Sequence, residues 1–266
     1  MSRVDKAIVV VSLHKSGTNL IKMPLIACGL DVGGHGIAES YNRFWFKECT
    51  LRAYFAARND MGSLRTELAS RFFKKAGSMW GPDVIFLHWL QRGKHLLKWQ
   101  KAGSPKIIFH YRDPRAITVS LYHYLLGTQV TDSHPYAMMS KIVKSLPDKE
   151  SRFQYLIDGA APYYDDIRES VWLRFHPDVL CTSYEALVGS SGGGCDLSQK
   201  QSLGLLLDSL DLRHKQEAAL AALNTRSSRT FRSGNAHDWR DEFPEALLGR
   251  FEKRHGDIIE ALGYSL

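Results

Sequence analysis

Short apolar runs recur along the chain, and each one ends in polar residues. The first run, 8–11, leads through a small polar turn into a helical pattern over 19–28. Apolar runs without alternation are typical of strands that are buried on both faces of a parallel sheet. Similar runs occur at 83–87, 106–111 and 179–182, with helical periodicity between them. Strands that alternate with helices in this way predict an α/β fold with a parallel sheet flanked by helices.

The segments between and after these runs complete the prediction. No break in composition divides the chain, so we expect a single domain over 1–266. The glycine-rich stretch 189–194 is interpreted as a mobile surface loop. The polar stretch 225–241 is predicted to be a loop, and the aromatic segment 39–73 to form helical pieces. Helices are further predicted over 94–100, 115–126, 134–146, 151–175, 198–210, 215–223 and 244–262.

The composition limits the class of protein and the kind of ligand. The chain has 266 residues, of which 44% are hydrophobic and 24% charged, which is typical of a globular domain and excludes disordered and fibrous classes. The formal net charge of +7 favours an anionic ligand. Because no long basic run is interleaved with aromatics, we expect no nucleic-acid partner. Four scattered cysteines without metal-site spacing, and no apolar run of about 18 residues, predict a cytoplasmic protein without a membrane segment.

The turn after the first run has the composition of a phosphate site. It contains Lys15, Ser16, Gly17 and Thr18 directly before a predicted helix, so it offers a cation, two hydroxyl groups, a flexible glycine and the N–H groups of a helix start. The ATPase loop places its lysine after the second glycine, whereas here Lys15 precedes Gly17. The turn is therefore predicted to bind a phosphate in a different arrangement.

Two later motifs contain further cations. Arg112 ends the third predicted strand, and Ser120 lies two turns into the helix that follows, within the sequence RDPRAITVSLYHY. The planar guanidinium of an arginine can bond two phosphate oxygens at once. The stretch 230–240 reads TFRSGNAHDWR and adds Arg232 next to a glycine. Parallel strands present their carboxyl ends at one sheet edge, where α/β proteins bind ligands.

The three motifs, in this order and at this spacing, resemble those of the cytosolic sulfotransferases that use 3′-phosphoadenosine 5′-phosphosulfate (PAPS). The resemblance spans residues 8–243 and implies a P-loop-like fold, with PAPS as co-substrate and adenosine 3′,5′-bisphosphate (PAP) as product. It also implies that Lys15 stabilises the leaving phosphate, and that Ser120 is a catalytic residue that touches this lysine. Nucleotide contacts are implied for Lys15, Ser16, Gly17, Thr18, Asn19, Leu20, Arg112, Ser120, Tyr184, Phe231, Arg232, Ser233 and Gly234.

The chain departs from the family pattern at several positions. Leu20 replaces a tryptophan that stacks on adenine in many members, and Tyr184 is the alternative adenine contact. Ser233 replaces a lysine, and His237 replaces a glycine. The short dimer motif of the family is not matched at 244–245, so the choice between monomer and dimer stays open.

The catalytic base and the acceptor pocket are also implied by the resemblance. His88 follows the second strand, where the family places its catalytic histidine, and a histidine with a pKa near neutrality suits removal of the acceptor's proton. The chemistry requires no metal. A small-molecule acceptor with a hydroxyl or amine is expected to lie against aromatic side chains. The candidates for this pocket are Tyr41, Phe44, Trp45, Trp89, Tyr122 and Tyr124.

Two other functions stay open on sequence grounds. A small-molecule kinase would need a Walker lysine and an aspartate at a strand end for Mg²⁺. Asp113 follows a strand, but Arg112 beside it favours phosphate binding. The second alternative is a catalytically inactive nucleotide-binding module, although Lys15, His88 and Ser120 are all present.

Overall fold

The computed structural model describes residues 8–32, 83–87, 106–128, 130, 136–160, 163–223 and 239–266. Four strands form one sheet in the order β2-β1-β3-β4, and every neighbouring pair is parallel. This arrangement confirms the predicted parallel α/β fold. The strands are β1 (Ile8–Ser12), β2 (Val84–Leu87), β3 (Lys106–Tyr111) and β4 (Val179–Ser183).

The helices follow the predicted ones closely. The long segment predicted over 151–175 is divided into an α-helix, a π-helical turn at Leu156–Ala160, a second α-helix and a 3-10 turn at Val171–Phe175. The α-helices are α1 (Thr18–Ala27), α2 (Pro114–Leu126), α3 (Ala137–Ser145), α4 (Lys149–Tyr155), α5 (Tyr163–Ser170), α6 (Tyr184–Leu187), α7 (Asp196–Ser209), α8 (Gln216–Leu223), α9 (Trp239–Glu242) and α10 (Glu245–Ala261).

The sheet is covered on both faces, which explains why β1 has no polar alternation. Val9 and Val11 point into one apolar cluster with side chains of α2, α5 and α10. Ile8 and Val10 point into a second cluster with side chains of α1, α7 and α8. Successive side chains of a strand point to opposite faces, so a strand between two helical layers must be apolar at every position.

Three local predictions need correction or comment. The glycine-rich stretch contains a 3-10 turn at Ser190–Gly192, where Ser190 donates from its backbone N–H and its hydroxyl to Asp196. The predicted loop over 225–241 ends in the short helix α9. Helix α1, predicted over 19–28, continues through Pro24, although a proline cannot donate a backbone hydrogen bond inside a helix. The helices predicted over 39–73 and 94–100 lie outside the described residues.

Within the described ranges, no helix has both the length and the apolar character needed to cross a membrane.

Candidate functional site

The turn between β1 and α1 is tightly folded. Lys15 has a φ of 59° and Gly17 has a φ of 84°, so both backbones are left-handed. This conformation is strained for a lysine and accessible to a glycine. A methyl group added at Gly17 would lie 2.5 Å from Cδ2 of Tyr184, so a larger residue would not fit. The N–H groups of Gly17 and Thr18 begin helix α1, where helical geometry provides no intrahelical acceptor.

Buried hydroxyl groups hold this turn from inside. The hydroxyl of Ser12, the last residue of β1, lies 2.8 Å from that of Thr18 and 3.2 Å from that of Ser16. Ser16 donates both its hydroxyl and its backbone N–H to the carbonyl oxygen of Leu13, at 2.6 and 3.1 Å. The Ser16 side chain is fully buried, so it supports the turn and does not face the surface.

His110, in the neighbouring strand β3, supports the turn from below. Its Nε2 lies 2.9 Å from the carbonyl oxygen of Ser16. Because a carbonyl can only accept, Nε2 must carry the proton. The ring is fully buried, and burial lowers the pKa of His110 to about 4, although the bond to Ser16 opposes this shift. His110 is therefore neutral near neutral pH and acts as a fixed donor to the turn.

The ammonium group of Lys15 points towards helix α2. Its Nζ lies 3.9 Å from the centroid of the Tyr124 ring, which is a cation–π contact. Burial, and then the positive charge of Arg112, lower the pKa of Lys15 to about 8. Lys15 is thus a cation close to a second cation. An anion bound between them would relieve the repulsion.

Arg112 and Tyr184 form the second part of the site. The guanidinium carbon of Arg112 lies 3.9 Å from the centroid of the Tyr184 ring. The same ring lies against Gly17 of the turn, and Tyr184 is only 7% exposed. Tyr184 therefore connects the first motif to the second, although the two are about a hundred residues apart in sequence.

A network behind Arg112 fixes the start of α2. Asp113 caps this helix by accepting from the backbone N–H of Arg115 at 2.8 Å, and its carboxylate pairs with the Arg115 guanidinium at 2.9 Å. Glu185 accepts from the Tyr264 hydroxyl at 2.6 Å and from the Asp113 N–H at 3.4 Å. Burial, and then the negative charge of Glu185, raise the pKa of Tyr264, which keeps this phenol protonated as a donor.

The helix positions predicted for the site fall on two sides of α2. Ser120 precedes Tyr124 by four residues, so both lie on the side that faces Lys15. Tyr122 lies instead in the core, with its ring 4.8 Å from that of Phe153. The structure therefore brings Tyr124 to the site, places Ser120 one turn before it on the same side of α2, and places Tyr122 behind the site.

Of the remaining predicted site residues, some lie at the turn or at the start of α1, and the others lie outside the described residues. Asn19 and Leu20 lie in the first turn of α1, and Leu20 packs against the Tyr184 and Val188 cluster. Thr18 is at the turn, with its hydroxyl directed to Ser12. The other predicted positions lie outside the described residues: Tyr41, Phe44, Trp45, His88, Trp89, Phe231, Arg232, Ser233 and Gly234.

Sequence reasoning missed the buried supports of the site. His110 gives a signal, because it is a polar residue that directly follows the apolar residues 107–109 within a predicted strand. Ser12 gives a weaker signal as the first polar residue after the apolar run 8–11. The arrangement as a whole places two cations, an aromatic ring and helix N–H groups at the carboxyl ends of β1 and β3. This combination suits an aromatic ligand that carries phosphate groups at two points.

Comparisons with known proteins show the fold. No protein-family model matches the chain, and no curated protein matches it in sequence. Among solved structures, mouse sulfotransferase SULT7A1 complexed with PAP is similar over 96% of this chain and 85% of its own, with a TM-score of 0.54 and 14% identity.

Two structures of retinol dehydratase are similar to the same extent. The complex with androsterone and the inactive cofactor PAP has a TM-score of 0.55 at 15% identity, over 98% of this chain and 82% of its own. The complex with retinol and PAP has a TM-score of 0.53 at 15% identity, over 100% and 84%. The chain therefore has the fold of these PAP-bound proteins.

Proposed function

We propose that this protein is a PAPS-dependent sulfotransferase that moves a sulfuryl group to a hydroxyl or amine of a small-molecule acceptor. One observation carries the proposal. Lys15 and Arg112, from two distant motifs, converge at one sheet edge with the Tyr184 ring between Gly17 and Arg112. A nucleotide with phosphates at both its 3′ and 5′ positions supplies the two anions and the aromatic base that fit these groups.

The residues present fit such a nucleotide. Lys15, with the N–H groups of Gly17 and Thr18, would hold the 5′-phosphate, because a helix start and a cation both favour an anion. Arg112 would hold the 3′-phosphate together with Ser120 of α2, the helix that begins two residues after Arg112. Tyr184 and Leu20 lie together next to Gly17 and would contact the adenine. The segment containing Arg232 would complete the nucleotide site.

The chemistry follows from these positions. The acceptor oxygen or nitrogen attacks sulfur, while the bond from sulfur to the 5′-phosphate oxygen breaks and leaves negative charge on that oxygen. Lys15 stabilises this charge, as preorganised cations do in phosphoryl transfer. His88 takes the proton that the acceptor loses. By the family resemblance, the acceptor would contact Tyr124 and the aromatic residues Tyr41, Phe44, Trp45 and Trp89.

The contacts of Asp113 weigh against the kinase alternative. A kinase needs a strand-end aspartate available to Mg²⁺. The Asp113 carboxylate is instead buried, where it caps α2 and pairs with Arg115. This aspartate stabilises the fold next to the site.

A transfer assay tests the proposal. Purified protein is incubated with PAPS labelled in its sulfate and with a panel of small phenols, alcohols and amines, and labelled products are separated by chromatography. We expect transfer to at least one acceptor. The transfer rate should fall by about 10³-fold in Lys15→Ala, because this variant lacks the cation that stabilises the charge on the leaving oxygen. Lys253→Ala, at an exposed lysine of α10, is the matched control and should retain full activity. Near-normal transfer in Lys15→Ala would contradict the mechanism.

A further inference from the structure

Next to the turn between β1 and α1, here called the phosphate turn, a carboxylate is buried against His14, the residue that precedes Lys15. Asp166, in helix α5, is only 1% exposed, and its Oδ2 lies 3.7 Å from Nε2 of His14, which is 8% exposed. Burying a carboxylate is unfavourable unless a partner compensates for the lost hydration. The Asp166 carboxylate therefore depends on polar partners in its buried position, and His14 at the turn is one of them.

His14 is also connected, through two tyrosines, to the end of the Lys15 side chain. Nδ1 of His14 lies 3.4 Å from the hydroxyl of Tyr136, and the Tyr136 ring meets the Tyr124 ring edge-on at 6.2 Å between centroids. Tyr124 in turn carries the Lys15 ammonium on its face. The contacts thus run from the backbone before Lys15, through two tyrosines, to the end of its side chain.

The backbone conformation explains why Lys15 needs such support. A lysine with a φ of 59° is in the left-handed region, which residues with a Cβ rarely occupy, so surrounding contacts must hold it there. Hydroxyl groups fix the turn after Lys15, at Ser16 and Thr18. The partners of His14 fix the turn before it.

We propose that Asp166 and His14 act as a buried pair that positions Lys15 for the 5′-phosphate, with Asp166 as a positioning residue that touches no ligand. The inference rests on the proposed function, since it assigns Lys15 to that phosphate. It predicts a selective defect. Loss of the pair should weaken contacts with the 5′-phosphate and spare those with the 3′-phosphate, which belong to Arg112.

Two nucleotides measure this selectivity by calorimetry. PAP carries both phosphates, and adenosine 3′-monophosphate lacks the 5′-phosphate. The dissociation constant of adenosine 3′-monophosphate divided by that of PAP therefore reports the 5′-phosphate contacts alone. We expect Asp166→Asn to lower this ratio by about tenfold, in the same direction as Lys15→Ala. His14→Gln acts on the turn itself and should lower it similarly. The double variant should be no worse than the more severe single variant, because the two residues act as a unit.

Tyr164→Phe is the matched control on the same helix. Tyr164 is buried in α5, and its hydroxyl lies 2.7 Å from that of Thr118, so this variant also removes a buried polar contact of α5. We expect it to lower the melting temperature and leave the ratio unchanged.

The outcomes separate the inference from the proposed function. If the wild type binds PAP and Asp166→Asn leaves the ratio unchanged, or weakens both nucleotides equally, the pair has no positioning role and the inference is wrong. If the wild type binds neither nucleotide, the proposed function fails and the inference fails with it. A lower ratio in Asp166→Asn and His14→Gln, but not in Tyr164→Phe, supports the inference.

Discussion

The two helical layers that cover the sheet are built from different side chains. The layer of α2, α5 and α10 buries ionisable groups, among them Asp113, Arg115, Asp166 and His255. In the described part of the layer of α1, α7 and α8, the buried polar side chains are two glutamines. Gln199 donates to the carbonyl of Leu187, and Gln216 to that of Lys200.

This difference indicates that one layer mainly stabilises the fold, whereas the other also orients the side chains and turns of the candidate site. The layer of α1, α7 and α8 covers its sheet face with leucines and other apolar side chains. Their burial stabilises the fold, but hydrophobic contacts are non-directional and do not orient particular groups. The first layer contains charged groups whose pairing has direction: Asp113 fixes the start of α2, and Asp166 faces the phosphate turn. Changes in the two layers should therefore have different effects.

The largest effect on stability is expected in the apolar layer. Leu207, in α7, is fully buried, so Leu207→Ala should lower the free energy of unfolding by about 2–5 kcal/mol, through lost burial and the cavity left behind. Urea unfolding measures this loss. Calorimetry under conditions in which the variant is folded should give an unchanged affinity for PAP. A marked fall in affinity would show that this layer also shapes the site.

A change at the site should have the opposite pattern. Arg112→Ala removes a guanidinium next to Tyr184, and charge-assisted hydrogen bonds are worth about 1.5–3 kcal/mol. We expect PAP affinity to fall by about 10- to 100-fold, with a small change in the melting temperature. Affinity for adenosine 5′-monophosphate, which lacks the 3′-phosphate, should not change. If that affinity falls as well, Arg112 has a wider role than the 3′-phosphate.

The buried histidine below the turn should make stability depend on pH. The pKa of His110 is lowered from 6.5 to about 4, so between these values the unfolded chain binds more protons than the folded one. Stability is therefore lost as the pH falls from 6.5 towards 4, by roughly 2 kcal/mol at pH 5 from this group. His110→Gln keeps a donor for the Ser16 carbonyl and should show a smaller loss. Urea unfolding at pH 7 and pH 5 gives the comparison, and equal losses in both proteins would refute this assignment.

The smallest effect is expected in the pH dependence of binding. With its pKa lowered to about 8, Lys15 loses its charge in the free protein as the pH rises from 7 to 9. If the 5′-phosphate needs the charged lysine, PAP affinity should fall by about tenfold at pH 9 relative to its low-pH value. Lys15→Met binds more weakly throughout and should lack this decrease. The same decrease in Lys15→Met would assign the titration to another group.

The sequence predicted the fold, and the meeting of Lys15 and Arg112 at one sheet edge, because both depend on local signals. Apolar runs without alternation identify strands that lie between two helical layers, and the observed β1 differs from the predicted run only by adding Ser12. Lys15 lies in the turn after β1 and Arg112 directly follows β3, so parallel topology alone brings them to one edge. Tyr184 was predicted next to the nucleotide, and it lies between Gly17 and Arg112.

The supports of the site could not be predicted, because their contacts join distant parts of the chain. Asp165 and Asp166 are adjacent in the same charged helical segment, yet the Asp165 side chain is 73% exposed and Asp166 is buried against His14. Nothing in the sequence distinguishes them; the rotation of α5 against the sheet does. Tyr122 and Tyr124 differ in the same way, since two residues along a helix point to nearly opposite sides.

The central claim is that the edge formed by Lys15 and Arg112 is built for a nucleotide with phosphates at both its 3′ and 5′ positions. Isothermal titration of the purified protein with PAP, and with ATP as the control, tests it most directly. We predict tight binding of PAP and much weaker binding of ATP, since ATP lacks the 3′-phosphate that Arg112 would hold. Binding of ATP in preference to PAP would contradict the claim and favour a kinase.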